Sequence, residues 1–351
     1  MSPLLDQPGV VRSGEELDVA RIDAFLKAQI GDLQGAPEIN QFAGGASNLT
    51  YMLHYPQRDL ILRRPPFGHR AKSAHDMLRE ANIMTALKPV YPYVPNVLAT
   101  CSNPEVMDCD FYVMERIRGI IPRQNLPEGL NLSVEDTRKL CLSVIDKMIE
   151  LHQVDYKAAG LESLGKGDGY VARQIDGWSD RFRKARTDDV VDFESVMAWL
   201  KAKLPAKDVA TCIIHNDFRF DNVVLNPDNP FEVIGVLDWE MATLGDPLMD
   251  LGNTRGLLGA GRRRPDVPDD AAPADQRAGH AHAAGSDRLL RRKNRLQGRQ
   301  LRFLHYLRSV PPRRDRAADL LPLLPRPDQE QGVCHLWLYH QLPRPALQKA
   351  D

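Results

Sequence analysis

Residues 213–225 read IIHNDFRFDNVVL. A histidine, two aspartates, an arginine and two asparagines stand there between an Ile-Ile pair and a Val-Val-Leu run. The aliphatic flanks are too short for helices and rich in β-branched residues, so each predicts a short buried strand. A polar loop held between two such strands is fixed by the core, which is where reactive side chains tend to be presented. A plain solvent turn is the competing reading, but such turns usually carry Gly or Pro, and this one carries neither.

Working outward, the 351 residues suffice for two domains or lobes. The net charge of −1 argues neither for nucleic acid nor for membrane as a partner. Cys101, Cys109, Cys141, Cys212 and Cys334 are odd in number and share no metal-ligand spacing, so free thiols in a reducing cytoplasm are expected. The start, MSPLLDQPGVV, lacks a basic stretch ahead of a long apolar core, and no apolar run is long enough to span a bilayer. A cytoplasmic protein is therefore expected, with its oligomeric state unspecified.

Helical spacing of Leu17, Ala20, Ile22, Phe25, Leu26 and Ile30 predicts a helix over 15–30, followed by strands near 38–43, 49–55 and 59–63. A helix over 74–87 carries Glu80 and stops at Pro89, and strands are predicted at 96–101 and 110–116. Ser133 with Asp136 resembles a capping box ahead of a long helix to about 153, although Glu or Gln is the usual partner. Further helices follow over 170–184 and 190–202, then the opening stretch and a strand in FEVIGVLDWE. A β-rich first part and a helical second part predict an α+β chain of two lobes with a cleft between them.

In this order the polar residues suit phosphoryl transfer. His215-x-Asp217-x-x-x-x-Asn222 is followed by Asp238 at the end of an apolar strand. One carboxylate can take the proton of an attacking hydroxyl. An amide oxygen and a second carboxylate can hold Mg²⁺, a hard ion that prefers oxygen and keeps several waters. A base for the nucleophile and a metal on the β and γ phosphates are the minimum set for the reaction.

HNDFRFDN followed by VLDWEMATLGDPLMDL resembles the aminoglycoside phosphotransferase superfamily of kinase-like enzymes. It is most similar to the branch related to kinase-like domains fused to acyl-CoA dehydrogenases. The resemblance runs from about residue 37 to Thr254 and implies a bilobal protein-kinase-like fold, with a small β-rich N-lobe and a helical C-lobe. It implies ATP and Mg²⁺ as cofactors and the hydroxyl of a small molecule as acceptor. Carried over by motif, Asp217 is the catalytic base, and Asn222 and Asp238 are the metal ligands. His215 and Asp250 brace the catalytic loop, and Arg219 lies next to the base. Asp250 has an alternative role as a simple helix cap. Asn216 stands where the family usually has Gly, which bears on the turn of that loop.

The remaining expectations concern the phosphates and the base. FAGGASNLTYML places Gly44 and Gly45 between two strands, where backbone N–H groups can approach phosphates and Ser47 or Asn48 can add donors. A ligand-free Gly-Gly hairpin is the alternative. LILRRPP puts Arg63 where kinases place a lysine, with Glu80 as its ion-pair partner, and Arg64 is the alternative cation. The backbone around Glu115, in YVMER, is the expected adenine-binding hinge. The domain boundaries implied are 1–36 for a leading helix, 37–116 for the nucleotide-binding N-lobe and 117–254 for an incomplete catalytic C-lobe.

After Thr254 the text changes character. Residues 255–351 hold seventeen Arg against two Lys, one Glu and no Ile, whereas the preceding 254 hold sixteen Arg against eleven Lys. A basic arm for nucleic acid or anionic lipid is one reading, and a proline-rich linker is another. The genetic code offers a third. Read one nucleotide later, with free choice of synonymous codons, LLGAG (257–261) permits YWVQA and RRRP (262–265) permits DDDP. A longer stretch over 317–344 likewise permits a string resembling the family's missing C-terminal helices. We therefore expect a shift of reading frame close to Thr254–Arg255, an irregular tail, and no metal site at His280, His282, Cys334 or His335. Helices left uncovered would forfeit roughly 1.5–3 kcal/mol per large aliphatic side chain, against about 5–15 kcal/mol for a whole domain. The chain as written is expected to be poorly stable or inactive with its catalytic residues intact.

Three functions compete. The first is an ATP- and Mg²⁺-dependent small-molecule kinase, its acceptor a hydroxyacyl-CoA more than an aminoglycoside. The second is a non-catalytic pseudokinase or truncated relic. The third is a metal-dependent hydrolase using His215, Asp217 and Asp238, which would leave Gly44, Arg63 and Glu80 without a role.

Overall fold

A computed structural model describes residues 5–43, 48–68, 76–123 and 129–257. Gly44, Gly45 and Ser47, and the tail beyond residue 257, lie outside the described residues. The chain divides into two compact units, interleaved along the sequence. The first comprises Met1–Asn131, Tyr156–Leu161 and Phe220–Ala242; the second comprises Leu132–Asp155, Glu162–Arg219 and the chain from Thr243 onward. The leading segment is thus part of the first unit, and the stretch 220–242 returns to it from the second half of the chain. No helix among the described residues is long and apolar enough to cross a membrane.

The first unit is built on an antiparallel sheet in the order β1-β2-β3-β5-β4. Its strands are β1 (Glu38–Gln41), β2 (Leu49–His54), β3 (Asp59–Arg64), β4 (Val97–Cys101) and β5 (Phe111–Glu115). Side chains alternate between the two faces of a strand. Leu60 and Leu62 therefore join Tyr51, Leu53, Phe111 and Val113 in one apolar cluster with Ile22 and Leu26 of helix α1 (Val19–Gln29). Phe25 packs edge-on against Phe111, with ring centroids 5.7 Å apart. Helix α1 starts later than its spacing suggests because Asp18 caps it, accepting from the Arg21 N–H. Helix α2 (Met77–Leu87) is capped in the same way by Asp76.

Residues 220–242 return as a hairpin of β7 (Val223–Leu225) and β8 (Val233–Val236). It is tied to the rest of the unit through Ile120, which exchanges backbone hydrogen bonds with Leu225, and through Val236 N–H, which donates to the Tyr93 carbonyl. Gly119 permits the close approach, since a Cβ there would collide with the Leu225 carbonyl and the Val224 side chain.

The second unit is mainly helical, with α3 (Val134–His152), α4 (Tyr170–Ala185), α5 (Glu194–Ala202) and α6 (Pro247–Leu257). Both halves of the capping box of α3 are present, so an aspartate serves where Glu or Gln is more usual. Strands β6 (Cys212–Ile214) and β9 (Thr243–Gly245) pair antiparallel. A Cβ on Gly245 would strike Ile214 and the Tyr170 ring, so the strand runs flush against this small core. Asp246 then accepts the Leu248 N–H and Pro247 opens α6, a common way to start a helix.

Candidate active site

In the first unit the alternation along β3 separates the two arginines. Arg64 lies on the face of Leu60 and Leu62, stacks on Phe67 and reaches Asp108 at 3.3 Å. Arg63 points to the other face, where Glu80 of α2 meets it. Its two terminal nitrogens donate to different carboxylates: Glu80 Oε1 at 2.6 Å and Asp238 Oδ1 at 2.9 Å. Glu80 Oε1 also accepts the backbone N–H of Trp239 at 3.1 Å. Of the two candidates, Arg63 is therefore the one coupled to Glu80 and Asp238.

Asp238 follows β8 with φ 68° and ψ 65°. Few residues besides Gly adopt that left-handed conformation, and Asp is one that tolerates it. In the β7–β8 register Val223 faces Val236, and Leu237 N–H donates to the Asn222 carbonyl at 2.8 Å. Asn222 and Asp238 consequently leave the same end of one hairpin. An amide oxygen and a carboxylate, the latter 30% exposed, are hard donors suited to Mg²⁺, which takes few protein ligands. Among the described residues no group of three His, Cys, Asp or Glu side chains forms a denser metal cluster. Asn48 is buried and directs its amide at Glu240 Oε2, 2.8 Å away. Glu115 has an exposed side chain, and its backbone N–H donates to Asn96.

The protonation chemistry follows from burial and charge. Burial opposes the Arg63 charge, but Glu80, Tyr112 and Asp238 more than compensate, so its pKa is raised. Burial pushes the Glu80 carboxyl up to about 7, with Arg63 pulling the other way and Asp238 and Glu240 adding to the rise. Both shifts fit one cation shared between two anions: the guanidinium faces two carboxylates, and Glu80 has only a share of one positive charge.

In the second unit the loop after β6 is held from below. Asp250 of α6 is fully buried and accepts three hydrogen bonds: from His215 N–H at 3.0 Å, Asn216 N–H at 2.8 Å and the His152 ring at 2.9 Å. Burial raises its carboxyl, but the His152 hydrogen bond, the two histidines and the backbone donor outweigh that, so its pKa is lowered. Asn216 has φ 65°, a conformation that Gly adopts without strain and Asn more readily than most. Its amide meets the Tyr170 hydroxyl, and Asn253 donates to its carbonyl at 3.4 Å. His215 packs edge-on to Phe218, and its Nδ1 accepts the Asp217 N–H at 3.3 Å. Asp217 and Arg219, both partly buried, follow directly.

The structure thus assembles Arg63, Glu80 and Asp238, with Asn222 at the same hairpin end, and separately His215 with Asp250. Two contributors escaped sequence reasoning. His152 falls four residues after Met148, on the apolar face of α3, where a histidine reads as the frayed end of the stripe. Tyr112 reads as core because it stands in the strand FYVME.

The comparisons with known proteins bear on family and fold. Residues 38–285 match the model of the family described as "Phosphotransferase enzyme family" (APH). Acyl-CoA dehydrogenase family member 10 of Mus musculus is 36% identical over 231 residues, covering 66% of this chain and 21% of that protein. Acyl-CoA dehydrogenase family member 11 of Homo sapiens is 32% identical over 242 residues, covering 68% and 31%. The chain therefore spans a third or less of these relatives. A solved structure from Ralstonia eutropha JMP134, provisionally described as an aminoglycoside phosphotransferase, shares 28% identity and a TM-score of 0.65 over 79% of this chain and 80% of that one. An aminoglycoside 3'-phosphotransferase of type VIII has the same fold at 20% identity, with a TM-score of 0.51 over 82% and 98%. The fold is the kinase-like α+β fold of these enzymes, and the chain belongs to the phosphotransferase enzyme family, a small-molecule kinase by ancestry.

Proposed function

We propose that this chain transfers the γ-phosphoryl group of ATP, with Mg²⁺, to a hydroxyl of a small molecule. The observation that carries the reading is Arg63, a buried cation held between Glu80 and Asp238. An acid–base hydrolase has no use for such a group, whereas a nucleotide's phosphates need it. Magnesium, when bound, would offset charge on the phosphates, and Asn222 and Asp238 are the residues to hold it. Asp217 would accept the proton of the attacking hydroxyl, from a loop whose backbone Asp250 fixes. Arg63 would turn from Asp238 to the phosphates, and the hinge backbone at Glu115 would take the base.

For the acceptor we favour a hydroxylated acyl-CoA thioester over an aminoglycoside, because the curated relatives are acyl-CoA dehydrogenase family members. ATP consumption against a panel of hydroxyacyl-CoAs and aminoglycosides tests the choice. Turnover with the thioesters alone supports it, and turnover with aminoglycosides alone overturns it. A thermal shift with Mg-ATP separates the kinase and pseudokinase readings from the hydrolase reading, which predicts none.

The switch in composition after Thr254 supports a second reading, that the chain is out of frame from near that point and lacks the enzyme's closing helices. The family match continues to residue 285 and so runs against a break as early as Thr254. Resequencing the gene across codons 250–290 decides it: an unbroken frame would remove this reading and leave the kinase assignment in place.

A further inference from the structure

We infer that Tyr112 is a positioning residue, whose hydroxyl completes the buried Glu80 carboxylate and so fixes where the Arg63 guanidinium points. The inference rests on the proposed binding of ATP and gives a role to a residue whose side chain its motifs leave without one. In the β3–β5 register Tyr112 stands directly opposite Arg63, so both side chains leave the sheet on the α2 face. Tyr112 is wholly buried. Three buried polar atoms here, the Tyr112 hydroxyl, Glu80 Oε2 and Arg63 Nε, make no hydrogen bond of full geometry, yet Tyr112 is near enough for a hydrogen bond to act on Glu80 and for Arg63 to act on Tyr112. Such atoms are rare in native proteins, and three in one cluster point to a shared arrangement.

One phenol can satisfy all three, because a hydroxyl both donates and accepts. Its O–H would donate to Glu80 Oε2 while its oxygen accepts the Arg63 Nε–H. Burial and the neighbouring carboxylates keep the phenol protonated, against the pull of Arg63, so it remains a donor. Glu80 would then stay fixed by Tyr112 and the Trp239 N–H when Arg63 releases Asp238 for a triphosphate. A tyrosine that only filled space would not depend on its oxygen.

Tyr112→Phe removes that oxygen and keeps the ring. We expect it to weaken Mg-ATP binding about tenfold, the size of a lost charge-assisted hydrogen bond. Binding of adenosine, which has no phosphates, should not change. In a double-mutant cycle with Glu80→Gln the two losses should fall short of additive, because both act through one carboxylate. Unchanged Mg-ATP affinity in Tyr112→Phe, or an equal loss for adenosine, overturns the inference while leaving the proposed function standing. Should the variant fail to fold, the wild-type protein labelled with ¹³Cζ-tyrosine supplies a second readout. The Tyr112 resonance should move with Mg-ATP and not with adenosine, and a resonance indifferent to Mg-ATP counts against the role. If the wild-type protein binds no Mg-ATP at all, the functional reading and this inference fall together.

Discussion

Glu80 in the sheet unit and Asp250 in the helical unit are both almost wholly cut off from water, 1% and 0% exposed, yet their carboxyl groups shift in opposite directions. Asp250 has donors on both oxygens, two of them backbone N–H groups that cannot turn away. Glu80 has one oxygen served by Trp239 and by an arginine it shares with Asp238, and a second oxygen that no backbone donor reaches and only the Tyr112 hydroxyl is placed to serve. Equal burial therefore produces a rigid brace in one place and a poised ion pair in the other. The count and mobility of donors decide which. On the proposed function, the catalytic loop would need the first, and a cation that changes partners when nucleotide arrives would need the second.

Removing the brace should have the largest effect. Asp250→Ala leaves two buried backbone donors and a buried histidine without an acceptor. Breaking a buried charged pair typically costs about 3–5 kcal/mol, so urea unfolding of the helical unit should shift by that order. A shift within the error of the measurement would show that Asp250 merely caps α6.

The two carboxylates should also part company with pH. Asp250 titrates lower when folded, so its stabilisation is present above the unfolded value of about 3.9 and is lost as pH falls through the lower folded one. Glu80 titrates higher when folded, so its contribution is complete below the unfolded value of about 4.3 and declines as pH rises through about 7. Asp250→Asn should therefore flatten the acid limb of a stability profile, and Glu80→Gln the stretch between about pH 4.3 and 7. Variants that flatten the same limb would erase the contrast between the two sites.

A smaller effect belongs to the backbone above the brace. With φ 65° at residue 216, Asn216→Ala should destabilise by about 1–2 kcal/mol and lose the Tyr170 contact as well. Asn216→Gly should recover most of the backbone part. Equal losses in the two variants would place the role of Asn216 in its side chain.

Much of this was legible in the sequence, for reasons that differ by residue. Arg63 and Glu80 could be paired through the family resemblance, which puts a cation at the end of that strand and its acidic partner on the next helix; the pattern alone leaves Asp76 and Glu80 as rival acids. The choice between Arg63 and Arg64 stayed open because Leu60, Ile61 and Leu62 make both faces of that strand apolar; only the position of Glu80 on the Arg63 side decides it. His152 was illegible because its partner lies 98 residues away, in a helix with no strong apolar stripe. Tyr112 escaped because a hydroxyl in an apolar strand declares itself only through the register across from it. Asn48 looked like a phosphate donor on a glycine loop, and its amide is engaged by Glu240, a residue read only as part of a motif. Strand β9 was missed because three residues, one of them glycine, carry no periodicity of their own.

The kinase assignment is tested most directly by calorimetric titration of ATP, with and without Mg²⁺, into the wild-type protein and the Asp238→Ala and Asp217→Ala variants. We predict binding by the wild type that requires Mg²⁺, its loss in Asp238→Ala, and its retention in Asp217→Ala, whose carboxylate serves the acceptor and not the nucleotide. Wild-type binding indifferent to Mg²⁺, or equal losses in the two variants, would contradict the assignment of these residues.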